Sequence, residues 1–148
     1  MKKYYVFFTF SFIFFSTFVA TAQVKNSSRP SAYARYADKL PTKANELEKA
    51  FLSPTRTEIK FNFSNFTFSG VITSTVKRSE NLSTVIIRST TLNNSVFSIS
   101  KKINQDKTVT YIGRIINENY ADGYEISKDS SGNYALNKIK TEALIQDF

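Results

Sequence analysis

From Thr57 almost to the C-terminus, apolar and polar residues alternate with a period of two, so this part of the chain reads as a succession of strands. In TEIKFNFSNFTFSG, Ile59, Phe61 and Phe63 alternate with Glu58, Lys60 and Asn62, and Phe66 and Phe68 then resume in the opposite parity. An uninterrupted strand would throw those last two rings onto the other face. The slip at Ser64-Asn65 therefore predicts a bulge or a turn that restores the apolar side. The segments VITSTVKR, LSTVIIRST, SVFSISKKI, TVTYIGRII, GYEIS and NYALNKI follow, rich in β-branched and aromatic residues. Between them lie SEN, LNN, NQDK, NYADG and DSSG, which are turn chemistry. These intervals are too short for helical crossovers. They predict an antiparallel β meander of about six or seven strands, with a small β barrel or sandwich as the alternative.

Ahead of the strands, ADKLPTKANELEKAFLS carries a helical period. Pro41 suits a first turn, Thr42 is a fair N-cap for Lys43 to Leu52, and Glu46 and Glu48 lie early, where the helix dipole favours acids. Ala44, Leu47, Ala50 and Phe51 make one apolar face, and Pro54 ends the segment. The fold class expected is α+β, the N-terminal helix packed on the sheet. Residues 37–148 form a single domain in this reading, and residues 23–36, QVKNSSRPSAYARY, a flexible basic segment leading to it.

The first 22 residues have the pattern of a signal peptide. Lys2 and Lys3 precede an uncharged run from Tyr4 to Val19, and Ala20-Thr21-Ala22 offers the small-x-small motif of signal peptidase, placing cleavage between Ala22 and Gln23. A membrane-spanning helix needs about 20 apolar residues, more than this run supplies. The leader has the style of bacterial export, so the expected location is secreted or periplasmic, with no membrane attachment after cleavage.

Composition narrows the chemistry. The chain has no cysteine and no histidine, which removes disulfides, the usual zinc ligands and the Ser-His-Asp and Cys-His arrangements of nucleophilic catalysis. No cofactor is implied. Calcium needs only oxygen ligands, but around Gly123 the EF-hand register would put Tyr120 at the third position, and DSSGN carries a single carboxylate. The 20 basic residues outnumber the 12 acidic ones. Arg78, Arg88, Lys101, Lys102, Lys107, Arg114, Lys138 and Lys140 fall on or beside predicted strands, interleaved with Phe97 and Tyr111. An exported protein seldom meets nucleic acid, so the surplus points to a secreted protein or an anionic cell-surface polymer, or to lysines that keep sheet edges from pairing.

One stretch, NENYADGYEI, gathers Glu118, Asp122 and Glu125, and two carboxylates at a controlled separation could divide acid and base roles. If Asp122-Gly123 is a two-residue turn, Glu118 and Glu125 share a face near Arg114, while Ile115, Tyr124 and Ile126 occupy the other. Solvated edge charge is then the simpler reading, and no catalytic residue is assigned. The C-terminal run YIGRIINENYADGYEISKDSSGNYALNKIKTEALIQDF resembles prodomain-like β modules of larger secreted bacterial proteins, including some metalloproteases, in its Gly-Arg-Ile strand, its Asp-Gly turn with Tyr-Glu and its Gly-Asn-Tyr strand. That resemblance implies a folding, inhibitory or docking module; with no protease domain after Phe148, inhibition would act in trans or the chain is a fragment. Three functions are thus in view: a non-catalytic binding or accessory domain, a stand-alone prodomain-like inhibitor, and a carboxylate-dependent hydrolase.

Overall fold

The computed structural model describes residues 29–93 and 95–141. The expected signal peptide with its Ala22/Gln23 junction, and the final residues 142–148, lie outside the described residues. The described residues form eight antiparallel strands and one short helix in the order β1 (Lys39–Thr42), α1 (Ala44–Leu52), β2 (Glu58–Phe63), β3 (Phe66–Ser79), β4 (Leu82–Ser89), β5 (Val96–Ile103), β6 (Val109–Ile116), β7 (Asp122–Lys128) and β8 (Tyr134–Lys140). They make one sheet, ordered β1-β8-β7-β6-β5-β4-β3-β2 and curled into a half-barrel. The expected meander is therefore present from β2 to β8. Its two edges, β1 and β2, approach within 8 Å between Cα atoms.

The count of six or seven strands needs correction, and so does the start of the helix. Lys39–Thr42, read above as the approach to the helix, is an edge strand paired with β8, with Pro41 opposite Ala135. Proline lacks a ladder donor, and an edge is where a strand tolerates that. Thr42 does not cap the helix: Lys43 occupies the N-cap position with no side-chain hydrogen bond. A missing cap forgoes about 1 kcal/mol, and a helix this short is marginal alone. Packing supplies what local chemistry does not, because Leu47 and Ala50 are buried in the concave side of the sheet.

The aromatic slip at Ser64-Asn65 is a hairpin turn. Phe63 pairs directly with Phe66 across it, and Ser64 takes the left-handed φ of 55°. Reversing the chain brings both parities to one side, so Phe61, Phe63, Phe66 and Phe68 are all fully buried. Phe97 meets Phe61 and Phe68 edge-on, with centroids 5.3 and 5.5 Å apart. Such aromatic pairs add about 0.5–1.5 kcal/mol each beyond burial. Ile72, Ile87, Ile99, Ile115 and Leu136 join these rings in the core.

Residues 29–36 carry more of the fold than a flexible leader would. Tyr33 is fully buried, its ring edge-on to Tyr124 at 5.2 Å and its hydroxyl donating to Ser95 Oγ at 3.1 Å. Domain packing thus begins upstream of residue 37.

Candidate functional site

The acidic stretch is not laid out as its turn chemistry suggested. Asp122 and Gly123 lie within β7, paired with Lys140 and Ile139, and the reversal occurs over residues 117–121. Two contacts explain this. The buried Asp122 carboxylate accepts hydrogen bonds from Ser31 Oγ, from Ala32 N at 2.7 Å and from Tyr33 N at 3.1 Å. Gly123 admits the neighbouring strand, since a Cβ there would stand 2.5 Å from the Ile115 carbonyl oxygen. The register differs from the expected hairpin by an even number of residues, so each side chain keeps its face: Ile115, Tyr124 and Ile126 are buried as expected.

The three acids part company as a result. Glu125 pairs with Arg114, 2.8 Å between Oε1 and the guanidinium. Glu118 sits exposed in the loop, where its backbone carbonyl accepts from Arg29 at 2.6 Å. Asp122 is buried among donors that anchor the N-terminal segment. Nothing here forms the paired carboxylates that glycoside hydrolysis needs.

A second polar cluster is one that the sequence did not single out. Glu48 of α1 accepts from the Tyr111 hydroxyl and from Lys101 Nζ, the latter at 2.5 Å. Burial pushes Glu48 upward, but the hydrogen bonds from Lys101 and Tyr111 outweigh it and hold the carboxyl below its usual range. Burial, then the Glu48 hydrogen bond and charge, push Tyr111 well above the ordinary phenol value. The acid stays ionised and the phenol stays protonated at neutral pH, so neither is poised to exchange a proton with a substrate. The cluster fastens the helix to β5 and β6.

The turn acids are likewise occupied locally. Asp129 Oδ1 accepts from Ser131 N at 3.0 Å and Asn133 N at 2.8 Å, and Asp106 Oδ1 accepts from Thr108 N at 3.0 Å. The hydrogen bond from the Asn133 backbone depresses Asp129, and that from the Thr108 hydroxyl depresses Asp106. Among the described residues no three His, Cys, Asp or Glu side chains come together as a metal site.

The cations do not converge either. Lys101 pairs with Glu48, Arg114 with Glu125 and Lys138 with Asp38 at 2.9 Å. Arg78, Arg88, Lys102, Lys107 and Lys140 make no ion pair among the described residues, and they are spread over β3, β4, β5, β8 and the β5–β6 turn.

The convex face of the sheet is different. Across β4, β5 and β6 the register sets Arg88 opposite Val96 and Val96 opposite Ile116; Ile86 faces Ser98, which faces Arg114; Thr84 faces Ser100, which faces Ile112. Ile112 is 55% exposed and Ile116 38% exposed, while Val96 and Ile86 are half-buried. A shallow depression of about 290 Å³ runs among them, floored by Gly113 and rimmed by Arg114 and Glu125. Serines replace bulk at its centre, leaving a flat surface of small hydroxyls flanked by aliphatics. The sequence signal was present in TVTYIGRII: Ile112 and Ile116 hold the parity opposite to the buried Tyr111 and Ile115.

Comparison with protein-family models, with curated proteins and with solved structures finds no match, so the functional reading rests on this chain's own chemistry.

Proposed function

We propose that this chain is a secreted, non-catalytic binding or accessory module that engages a protein through the convex face of β4, β5 and β6. The observation that carries the reading is the exposure of Ile112 and Ile116, which with Val96 line one shallow depression on a face that otherwise carries hydroxyls and the Arg114–Glu125 pair. Burying a whole isoleucine side chain contributes about 1.5–3 kcal/mol, so two isoleucines already half or a third exposed supply a modest anchor that needs polar support around it. Ser98, Ser100 and the Arg114–Glu125 pair stand where that support is required. A polyanion is the less favoured partner, because three of the eight strand cations are already neutralised by Glu48, Glu125 and Asp38. No helix among the described residues is long and apolar enough to cross a membrane.

The test is capture from the exporting cell with tagged wild type and with Ile112→Asp. A protein retained by wild type and lost at least tenfold by Ile112→Asp, with the thermal midpoint held, supports the reading. Capture indifferent to Ile112, or a hydrolytic activity that Glu125→Gln abolishes, would sink it.

A further inference from the structure

The sheet has an open edge away from that face. The β2–β3 ladder ends at Glu58 and Val71, and only the backbone of residues 56 and 57 continues it, Arg56 N donating to Ile72 O at 2.7 Å and Ile72 N to Thr57 O at 3.0 Å. Below Ile72, β3 runs on to Ser79 with β4 on one side and no strand on the other among the described residues. The direction of its peptide groups follows from the register. Ile72 turns its N–H and C=O toward the β2 side, and the ladder then shifts between Ile72 and Ser74, adding one residue. Past that bulge, and as far as a second shift between Lys77 and Ser79, Ser74 and Val76 face β4, and Thr75 and Lys77 point their donors and acceptors outward. Thr73 Oγ1 donating to Ile86 O at 3.1 Å confirms that this part of β4 faces β3.

Three exposed cations bracket the open stretch: Arg56 at the upper end, Lys77 and Arg78 at the lower. None makes an ion pair among the described residues, and the acids nearest in sequence are Glu58 and Glu80, beyond either end. Lysine at an edge deters pairing with a second basic chain, and this one carries +8 overall. The same charges attract an acidic strand. We propose that the Thr73–Ser79 edge of β3 receives an extended acidic segment of a partner protein as an added strand, main-chain hydrogen bonds to Thr75 and Lys77 giving affinity and Arg56, Lys77 and Arg78 giving the charge preference. This rests on the binding-module reading and names a partner chemistry for it.

The probe is a synthetic nonapeptide of alternating Glu and Val, with a Lys-Val peptide as control. In the full chain labelled with nitrogen-15, saturating Glu-Val peptide is expected to slow exchange of the Thr75 and Lys77 amides at least tenfold and to leave Val76 unchanged. Thr75→Pro removes an outward N–H without touching the β4 ladder and is expected to weaken binding at least tenfold. If that variant does not fold, Lys77→Glu with Arg78→Glu decides, with the same loss expected. Equal binding of the two peptides, protection at other strands, or a folded Thr75→Pro of unaltered affinity would overturn the edge assignment. If the edge fails while Ile112-dependent capture persists, the module reading stands; if the edge binds and Ile112-dependent capture is absent, the convex-face reading is the one that falls.

Discussion

Tyr33 donates its backbone N–H to the Asp122 carboxylate at 3.1 Å across 89 residues of sequence. The same carboxylate holds Ala32 N and Ser31 Oγ, and Ala121 N donates to Pro30 O at 3.0 Å, so one acid on β7 fixes the course of the N-terminal segment. Replacing Asp122 with alanine strands one part-buried and one buried backbone donor, and hydrogen bonds to a charged group contribute about 1.5–3 kcal/mol each. We expect Asp122→Ala to cost roughly 3 kcal/mol in urea unfolding and Asp122→Asn, which keeps one acceptor oxygen, about half that. Equal stability of wild type and Asp122→Ala would show that the segment is held by the Tyr33 ring alone.

That acid also marks the limit of what the chain made legible. Period-two alternation placed the strands, and the buried parity of Ile115, Tyr124 and Ile126 was correct even though the register was not, because an even shift moves no side chain across the sheet. Asp-Gly was misread because a short acid beside glycine serves a tight turn and a close strand approach equally well. Only the partners decide, and Tyr33 lies too far away in sequence to be seen. The strand at Lys39–Thr42 was hidden for a similar reason: four residues carry no period, and their pairing with β8 is a contact of the folded chain.

Gly123 and Gly113 mark two places where the curled strands press close. A Cβ at Gly113 would stand 2.4 Å from the Ser98 carbonyl oxygen, and one at Gly123 would stand 2.5 Å from that of Ile115. Both obstacles are backbone, which cannot swing aside as a side chain can. Overpacking of this kind costs about 1–3 kcal/mol. Gly113→Ala and Gly123→Ala should each lower the unfolding free energy measured in urea by that amount, with Gly132→Ala, at an exposed turn of φ 85°, a separate control for strain without crowding.

Alkaline unfolding should be steep. Burial is the main cause that pushes Tyr33 and Tyr124 up to about 12 from an ordinary 10.0. The unfolded chain therefore releases these protons first, so stability is complete below about pH 10 and is lost as pH rises through 12. Phenolate absorbance at 295 nm should show three tyrosines, Tyr33, Tyr124 and the likewise raised Tyr111, ionising together with the loss of ellipticity. Tyr33→Phe should lessen the alkaline slope; simple independent titration near 10 would contradict the burial.

At the acid end the sign reverses. Glu48 is held below its ordinary 4.5 despite burial, by Lys101 and Tyr111, so its contribution is present above that value and is lost as pH falls through the lowered folded one. Its side chain is a quarter exposed, so solvent screening keeps the effect small. Glu48→Gln is expected to flatten the acid limb of the stability curve and, by removing the charge that helps hold Tyr111 above the ordinary phenol value, to reduce the alkaline limb as well. Deuterium exchange should show α1 loosening first, since Glu48 ties that helix to β5 and β6.

Glu46 covers part of β2, which borders the sheet on the same side as the open stretch of β3. Its Oε1 accepts from Asn62 N at 2.7 Å, and its partner oxygen lies 2.8 Å from Lys49 Nζ, so a helix side chain satisfies a donor that β2 turns away from β3. An uncovered edge N–H is an invitation to another strand. The β3 edge below Ile72 has no such cover, which separates a guarded edge from an open one in the same sheet. Glu46→Ala should cost about 1–2 kcal/mol and expose β2 to self-pairing, visible as concentration-dependent light scattering at neutral pH. Glu46→Gln, whose carbonyl oxygen can still accept from Asn62, should keep the chain monodisperse while losing the Lys49 pair. Scattering by both variants alike would assign the protection to charge; scattering by the alanine variant alone would assign it to the hydrogen bond.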